Sequence, residues 1–453
     1  MRQKPRALCI CVLLLIVLCV LYGFTAMAIE QELRITRFNP ESSETKRFRL
    51  AHPDIPVVSV DMGYQLTPAL ISQLISGNDV DTDIYMVRTF EAGYSALLKK
   101  GFCSSLTTNE GIYSSIEKMP NQLSSALFYN NELLAVPVEI EFDAWTAFEC
   151  STAVLDEIGI KKQDIPTNMI DLLDKLISWY EDGTLYGIRL FDGAASEQPY
   201  IITWFALNNY TYSILADSEQ LNYDTTLFKK LMEKCDILCS TLNQHAEITD
   251  SSPFLFRRAS PATLLTSDNT SDRAFMPIVS VDGMKECYPA YLTVAIQNPL
   301  SQNKEVGQYY LEAILHDLPI ETQLFFWPEL VQSRERVGYQ DDYQLACNEI
   351  KRLQTMLDED IIDEAHRAES QALLEELKQW IVVLERKDRW ELSPEVIESC
   401  EHISDYIFIP SSSVRELLDE TLIASVRQYS NHQIDMHVLI DLIIRKSKLM
   451  QQE

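Results

Sequence analysis

Between Leu33 and Gly101 the chain alternates strand-like and helix-like segments, and this alternation constrains the fold more than any other feature. Leu33–Phe38 sets apolar and polar residues in turn, as a half-buried strand does. RFRLA reads as the end of a helix, His52-Pro53 as a turn, and Val57–Val60 as a second strand. Thr67–Gly77 has amphipathic helical spacing, Asp83–Val87 reads as a short strand, and Ala92–Lys100 as a helix ending at Gly101. Strands alternating with helices predict a parallel sheet with covered faces, hence the α/β class. Downstream, LLAVPVEIEFDAWTAF is a long extended run in which Pro137 marks an edge or crossover strand. Asn168–Tyr180 and Lys304–Leu315 predict helices, and Tyr200–Asn208 a buried one. Gly187–Phe191, Thr263–Ser267 and Phe275–Val279 predict strands. From about Asp341 the pattern changes. Leu353, Leu357, Ile361, Leu377, Ile381 and Leu384 recur at helical intervals among dense charges, with no glycine after Gly338. That region is helical, and its charges are read as a solvated face.

Composition removes several function classes. At 453 residues and 46% apolar content the chain can bury a large core, divided into two lobes or domains. Its 38 Lys and Arg against 67 Asp and Glu give a formal charge of −29, which disfavours nucleic acid as a partner. Only 13 glycines are present, and the closest pair, Gly183 and Gly187, encloses Leu185. A G-x-G-x-x-G fingerprint, a Walker-type phosphate loop and a G-x-S-x-G elbow are therefore all excluded by spacing. No two histidines stand four apart, which excludes H-E-x-x-H zinc chemistry.

The N-terminus predicts export. Arg2, Lys4 and Arg6 precede the uncharged run Ala7–Ala28, and Ala26-Met27-Ala28 supplies small residues for signal-peptidase cleavage. The run is nearly long enough to span a bilayer, so an uncleaved anchor is the competing reading. Either way the rest of the chain faces outward, at the outer face of the cytoplasmic membrane or secreted. Loss of residues 1–28 removes three positive charges and takes −29 to −32. Cys19 follows Leu18, so a standard lipobox is absent. Seven cysteines remain, and Cys235 and Cys239, one helical turn apart, read as small apolar residues on a buried face.

Six stretches occur in the order of one known pattern: HPDIPVVSV, LISQLISGNDVDTDIYMV, AVPVEIEFDAWTAF, EQPYIITWFALNN, LNYDTTLFKKLMEKC and AIQNPLSQNKEVGQYYLEAIL. Together they resemble the bacterial extracellular solute-binding proteins of the maltose-binding type, family 1, which serve ATP-binding-cassette importers. The end of the chain, HQIDMHVLIDLIIRKSKLM, is similar to the family's closing helix. The resemblance implies a two-lobed periplasmic-binding-protein-like fold with crossing hinge strands and a helix-rich C-terminal part. Lobe 1 is expected at about 30–138 plus 268–325. Lobe 2 is expected at 139–267 plus 326–453, with a helical insertion at about 340–390. The crossings are expected at AVPVEIEFDAWTAF, around Leu264–Asp268 and near Phe325–Pro328.

The same resemblance implies a cleft that closes on a sugar, which needs aromatic faces for the ring and polar groups for its hydroxyls. Glu197, Tyr200 and Trp204 are its candidates in EQPYIITWFALNN, with Tyr200 or Trp204 stacking and Glu197 accepting from hydroxyls. Arg88 follows a strand at the carboxyl edge of the sheet, where ligand loops sit. Glu141 matches a hinge-strand carboxylate, Arg37 and Asn39 follow the first strand, and Asp268 and Trp327 follow the later crossings. No metal, cofactor or catalytic residue is implied. The expectation is an extracytoplasmic receptor delivering a carbohydrate to the membrane permease of an ATP-binding-cassette importer. The alternatives are a membrane-anchored sensor or interaction protein that kept the fold without import, or a glycan hydrolase using Glu139 and Glu141.

Overall fold

In the computed structural model the described residues are 32–37, 39–61, 76 and 81–450, apart from 144, 146, 219–220, 246, 267–272, 278–279, 360, 362–363, 386–388, 412–413 and 415–416. The leader and nearly all of the expected helix Thr67–Gly77 lie outside them. The chain enters through β1 (Leu33–Thr36), whose Leu33 and Ile35 are completely buried. Helix α1 (Ser43–Ala51) leads to β2 (Val57–Val60), which pairs parallel with β1 in unbroken register. β3 (Ile84–Arg88) lies on the other side of β1, also parallel. α2 (Ala92–Lys99) follows and stops at Gly101, whose φ of +70° suits glycine.

After α3 (Glu110–Ile116) and the small hairpin of β4 (Phe128–Tyr129) and β5 (Glu132–Leu133), β6 (Val136–Phe142) carries the chain out of the first sheet. β7 (Ala147–Ser151), β8 (Arg189–Phe191), β9 (Phe254–Ala259) and β10 (Arg273–Pro277) form a second sheet in the order β10-β7-β9-β8. Its helices include α4 (Met169–Glu181), started by Asn168 accepting from the Ile170 and Asp171 amides. They also include α5 (Gln198–Ser218) and α6 (Thr226–Gln244). Phe148 at the centre stacks on Phe205 at 4.0 Å and on Phe256 at 5.0 Å between ring centroids.

The chain returns through β11 (Tyr288–Gln297), which is antiparallel to both β3 and β6. α7 (Lys304–His316) packs closely on it because Gly307 has no side chain: a Cβ there would stand 2.5 Å from Gln297 Nε2. α8 (Ile320–Phe326) then buries Phe325 edge-on against Phe142, 4.7 Å between ring centroids. β12 (Arg334–Glu335) and β13 (Trp390–Leu392) pair as the base of an antiparallel helical arm, α9 (Tyr339–Asp358) and α10 (Glu364–Val383). At that base Arg389 lies 4.5 Å from the Trp390 ring centre and 2.9 Å from Glu335. The arm buries Ala346, Leu353 and Leu374 but leaves Leu345 and Trp380 exposed. α11 (Pro394–Ser404) and β14 (Ile407–Phe408) rejoin the first sheet, β14 parallel to β11. α12 (Glu420–Ser430) and α13 (Met436–Met450) close the second lobe.

Two apolar cores result. One is built around Ile35, Val87, Val136 and Ile296, the other around Phe148, Phe205, Leu231 and Leu439. Each such side chain contributes about 1.5–3 kcal/mol by its burial. The boundaries differ from the expected ones in three places. Thr263–Thr266 is a turn of helix and not a strand, since the Leu264 and Leu265 amides bond to the carbonyls of Pro261 and Ala262. β10 belongs to the second sheet, so the chain crosses back between Val281, in the second core, and Tyr288, in the first. Residues 394–408 pack on the first core through Cys400, Ile403 and Ile407, so the last crossing falls after Phe408 and not at Phe325–Pro328.

All seven cysteines beyond residue 28 are free thiols. Cys235 and Cys239 are buried in the second core, and desolvation pushes the Cys239 thiol up to about 12. Among the described residues no helix is long and apolar enough to cross a membrane.

Candidate functional site

The register of the first sheet assembles one polar face across β3, β11 and β6. Arg88 stands opposite Thr293 on β11, and Thr293 opposite Glu139 on β6. Tyr291 stands opposite Glu141, two residues further along β6 and therefore on the same face as Glu139. Arg88 Nη2 lies 3.3 Å from Glu141 Oε1, with both side chains about two-fifths exposed. Partial desolvation pushes the Glu139 carboxyl up, the Glu141 charge adds to that shift, and Arg88 opposes it. Arg88 also lies 5.6 Å from the Phe90 ring centre, and Phe90 meets Tyr291 edge-on at 5.0 Å.

Arg37, at φ +52°, places Nη2 3.1 Å from Glu91 Oε1, whose side chain is 5% exposed. Asn39 is exposed and organises the entry into α1. Its Oδ1 accepts from the Glu41 amide, and its carbonyl accepts from the Ser42 and Thr45 hydroxyls.

The second lobe presents aromatic rings instead. Arg258 lies 4.6 Å from the ring centre of Trp145, and Trp145 meets Trp204 edge-on at 6.5 Å. Trp204 stacks on Tyr200 with centroids 6.4 Å apart and planes 11° apart, and Arg427 covers Tyr200 at 5.3 Å. Tyr200 is half-buried, whereas Trp204 is only 5% exposed and belongs to the core. Trp204 thus braces the rings beside it, because its own faces are already packed. Glu197 is exposed in the turn before α5.

A cavity of about 490 Å³ lies alongside β6, walled mainly by α1, α7 and α8 of the first lobe, with Ala262 and Leu265 of the β9–β10 connection at its edge. Glu44, Glu139 and Glu321 supply carboxylates, Ile140 and Phe325 apolar surface, and Leu265 of the β9–β10 connection packs on the first core at its edge. Glu139 is shared by this cavity and the Arg88–Glu141 face. Its size and mixed lining suit a small organic ligand.

Of the sequence candidates, the structure brings Arg88 and Glu141 into contact and stacks Tyr200 on Trp204. Trp327 stands apart. It is buried in the first core, and its indole N–H donates to the Ser115 carbonyl at 2.9 Å. A ring so enclosed has no face for a ligand. Asp268 lies outside the described residues. Trp145, Arg258, Phe90 and Tyr291 escaped the sequence reading, since their proximity depends on strand register. The only linear signal was Trp145, within the crossing run itself. Among the described residues no group of His, Cys, Asp and Glu converges as metal ligands would.

No family model matches the chain, and no curated protein matches it in sequence. Solved structures do. A sugar transporter protein of Rhizobium etli in an open conformation is similar with a TM-score of 0.52 at 12% identity, over 92% of this chain and 99% of that one. A receptor of Streptomyces glaucescens, solved unliganded and with acarbose, gives 0.52 at 12% identity over 94% and 99%. A cyclic alpha-maltosyl-1,6-maltose binding protein of Arthrobacter globiformis gives 0.51 at 10% identity over 92% and 98%. At such identity the likeness is one of fold. The chain has the two-lobed α/β fold of these solute-binding proteins over most of its length.

Proposed function

We propose that this protein is an extracytoplasmic receptor that binds a carbohydrate between its lobes and delivers it to the permease of an ATP-binding-cassette importer. The observation that carries this reading is the cavity of about 490 Å³ beside the crossing strand β6, with carboxylates and apolar surface together. A neutral sugar has the matching duality: hydroxyls for Glu139 in this cavity and for Glu141 and Arg88 on the adjoining sheet face, and C–H faces for aromatic or aliphatic side chains. Arg37, Asn39, Glu197 and Tyr200 complete the proposed set, with Trp204 as support and Asp268 kept as a candidate from the sequence. Hinge closure around solute supplies the signal that a membrane partner reads. Likeness to binding proteins supports a non-enzymatic role, and the Arg88 ion pair ties Glu141 into the sheet face.

Calorimetry against mono-, oligo- and cyclic saccharides and polyols tests this. Binding with a decrease in radius of gyration is expected. Silence across the panel would refute the carbohydrate reading. Release of reducing ends, abolished in Glu141→Gln, would replace it with hydrolysis. The leader at Ala7–Ala28 supports export, and intact-mass analysis distinguishes a retained anchor from cleavage near Ile29.

A further inference from the structure

Three polar side chains meet at the hinge from three places in the fold. Asp143 follows β6 where the chain leaves the first sheet, and its amide donates to the Pro289 carbonyl at 3.0 Å. That bond ties the outgoing crossing to the start of β11. Tyr212 comes from α5 of the second lobe and is 1% exposed. Tyr291 comes from β11 of the first sheet. The Tyr212 hydroxyl donates to Asp143 Oδ2 at 2.7 Å and lies 3.0 Å from the Tyr291 hydroxyl.

A phenol carries one proton. With that of Tyr212 committed to the carboxylate, its oxygen must accept from Tyr291, so the bonds run Tyr291 to Tyr212 to Asp143. The other carboxylate oxygen, Oδ1, accepts from the Trp145 amide at 2.8 Å. Asp143 therefore joins the second lobe's long helix, the first sheet and the turn that presents Trp145. From Tyr291 the contacts continue through Phe90 to Arg88 and its partner Glu141.

We propose that the Tyr291–Tyr212–Asp143 chain is a hinge clasp, which sets the angle between the lobes and couples it to the Arg88–Glu141 face. The proposal rests on reading the protein as a hinge-bending receptor. Its physical basis is the short range of hydrogen bonds. Rotating the second lobe carries Tyr212 away from Tyr291 and Asp143, and bonds of 2.7–3.0 Å do not survive a shift of about 1 Å. Asp143 and Tyr291 are half-buried but Tyr212 is buried, so its freed hydroxyl finds little water, and the hinge resists small rotations and yields to large ones. A ligand that moves Arg88 or Glu141 shifts Tyr291 through the same packed contacts.

The test compares Tyr212→Phe, Tyr291→Phe and Asp143→Asn in the full chain by small-angle scattering, amide hydrogen exchange and saccharide calorimetry. Tyr212→Phe keeps the ring in the core and is expected to change the radius of gyration of the unliganded protein. It should also speed exchange at the Asp143 and Trp145 amides about tenfold, the equilibrium worth of one buried hydrogen bond. Tyr291→Phe should do the same to a smaller extent, because the link from Tyr212 to Asp143 survives. Asp143→Asn keeps one oxygen for the Trp145 amide but sets its NH2 against Tyr212, whose hydroxyl must then reverse, so it should loosen the hinge less than Tyr212→Phe. Unchanged scattering and exchange in a folded Tyr212→Phe protein would overturn the clasp, whatever the affinity does. Altered scattering and exchange without saccharide binding by any variant would uphold the clasp and refute the carbohydrate reading.

Discussion

On the first lobe the surface near the crossing strands is charged and internally paired, Arg88 with Glu141 and Arg37 with Glu91. On the second it is aromatic, with Trp145 and Tyr200 braced by the buried Trp204 and covered by Arg258 and Arg427. The contrast follows from what each sheet can hold there. β3, β11 and β6 lie side by side, so their outward residues form rows in which opposite charges neutralise one another. The second lobe sets α5 against the end of β7, and a helix repeats a face every four residues, which stacks Tyr200 on Trp204. One rim offers directional hydrogen bonding, the other broad apolar faces. A sugar presents both kinds of surface at once.

The comparison can be broken in four places. The largest effect is expected from Phe148→Ala, beneath the aromatic rim. Its ring is fully buried between Phe205 and Phe256, and truncation should cost about 3–5 kcal/mol in denaturant unfolding. A loss under about 1 kcal/mol would mean that the rim does not rest on this core. Next, Trp145→Ala should weaken saccharide binding about 30-fold by calorimetry, the scale of an aromatic anchor. An affinity within twofold of the parent would remove the aromatic rim from the site.

Arg88→Ala should weaken binding about tenfold while changing stability by less than about 1 kcal/mol, since its pair with Glu141 is well exposed. Arg88→Lys should restore little, because an ammonium cannot hold Glu141 and a ligand hydroxyl in one plane. Equal loss of stability and affinity would make Arg88 a structural residue. The smallest effect concerns pH. The Glu139 carboxyl is raised above its ordinary 4.5 in the folded protein, so its contribution to stability is present at acid pH and lost as pH rises through the folded value. Glu139→Gln should therefore be slightly more stable than the parent at neutral pH, with the gain vanishing below 4.5 in thermal melts across pH. A variant less stable at neutral pH would reverse the assignment.

The elements were legible because their periods are local. Val57–Val60 was read to the residue, and Ala92–Lys100, Asn168–Tyr180 and Lys304–Leu315 to within a residue or so at each end. Thr263–Thr266 was misread because one helical turn is too short to show a period, and apolar Leu264-Leu265 fits a strand equally well. The site was half legible. Arg88 and Glu141 carry the right chemistry in the sequence, but 53 positions separate them, and only the β3–β11–β6 register makes them neighbours. Trp204 and Trp327 were indistinguishable as aromatic candidates until packing turned both into the cores.

By itself, the sequence determined the α/β class, the division into two bodies and the helical character of the arm, because hydrophobic periodicity is set by backbone geometry and repeats within a few residues. It also excluded nucleotide-binding and zinc-protease chemistry by glycine and histidine spacing. Tertiary structure alone decided where the chain crosses between lobes, which aromatic rings stack on one another, and that Asp143, Tyr212 and Tyr291 meet at the hinge. Those outcomes depend on strand register and on the angle at which a helix lies across a sheet. Both are set by contacts between residues tens to hundreds of positions apart.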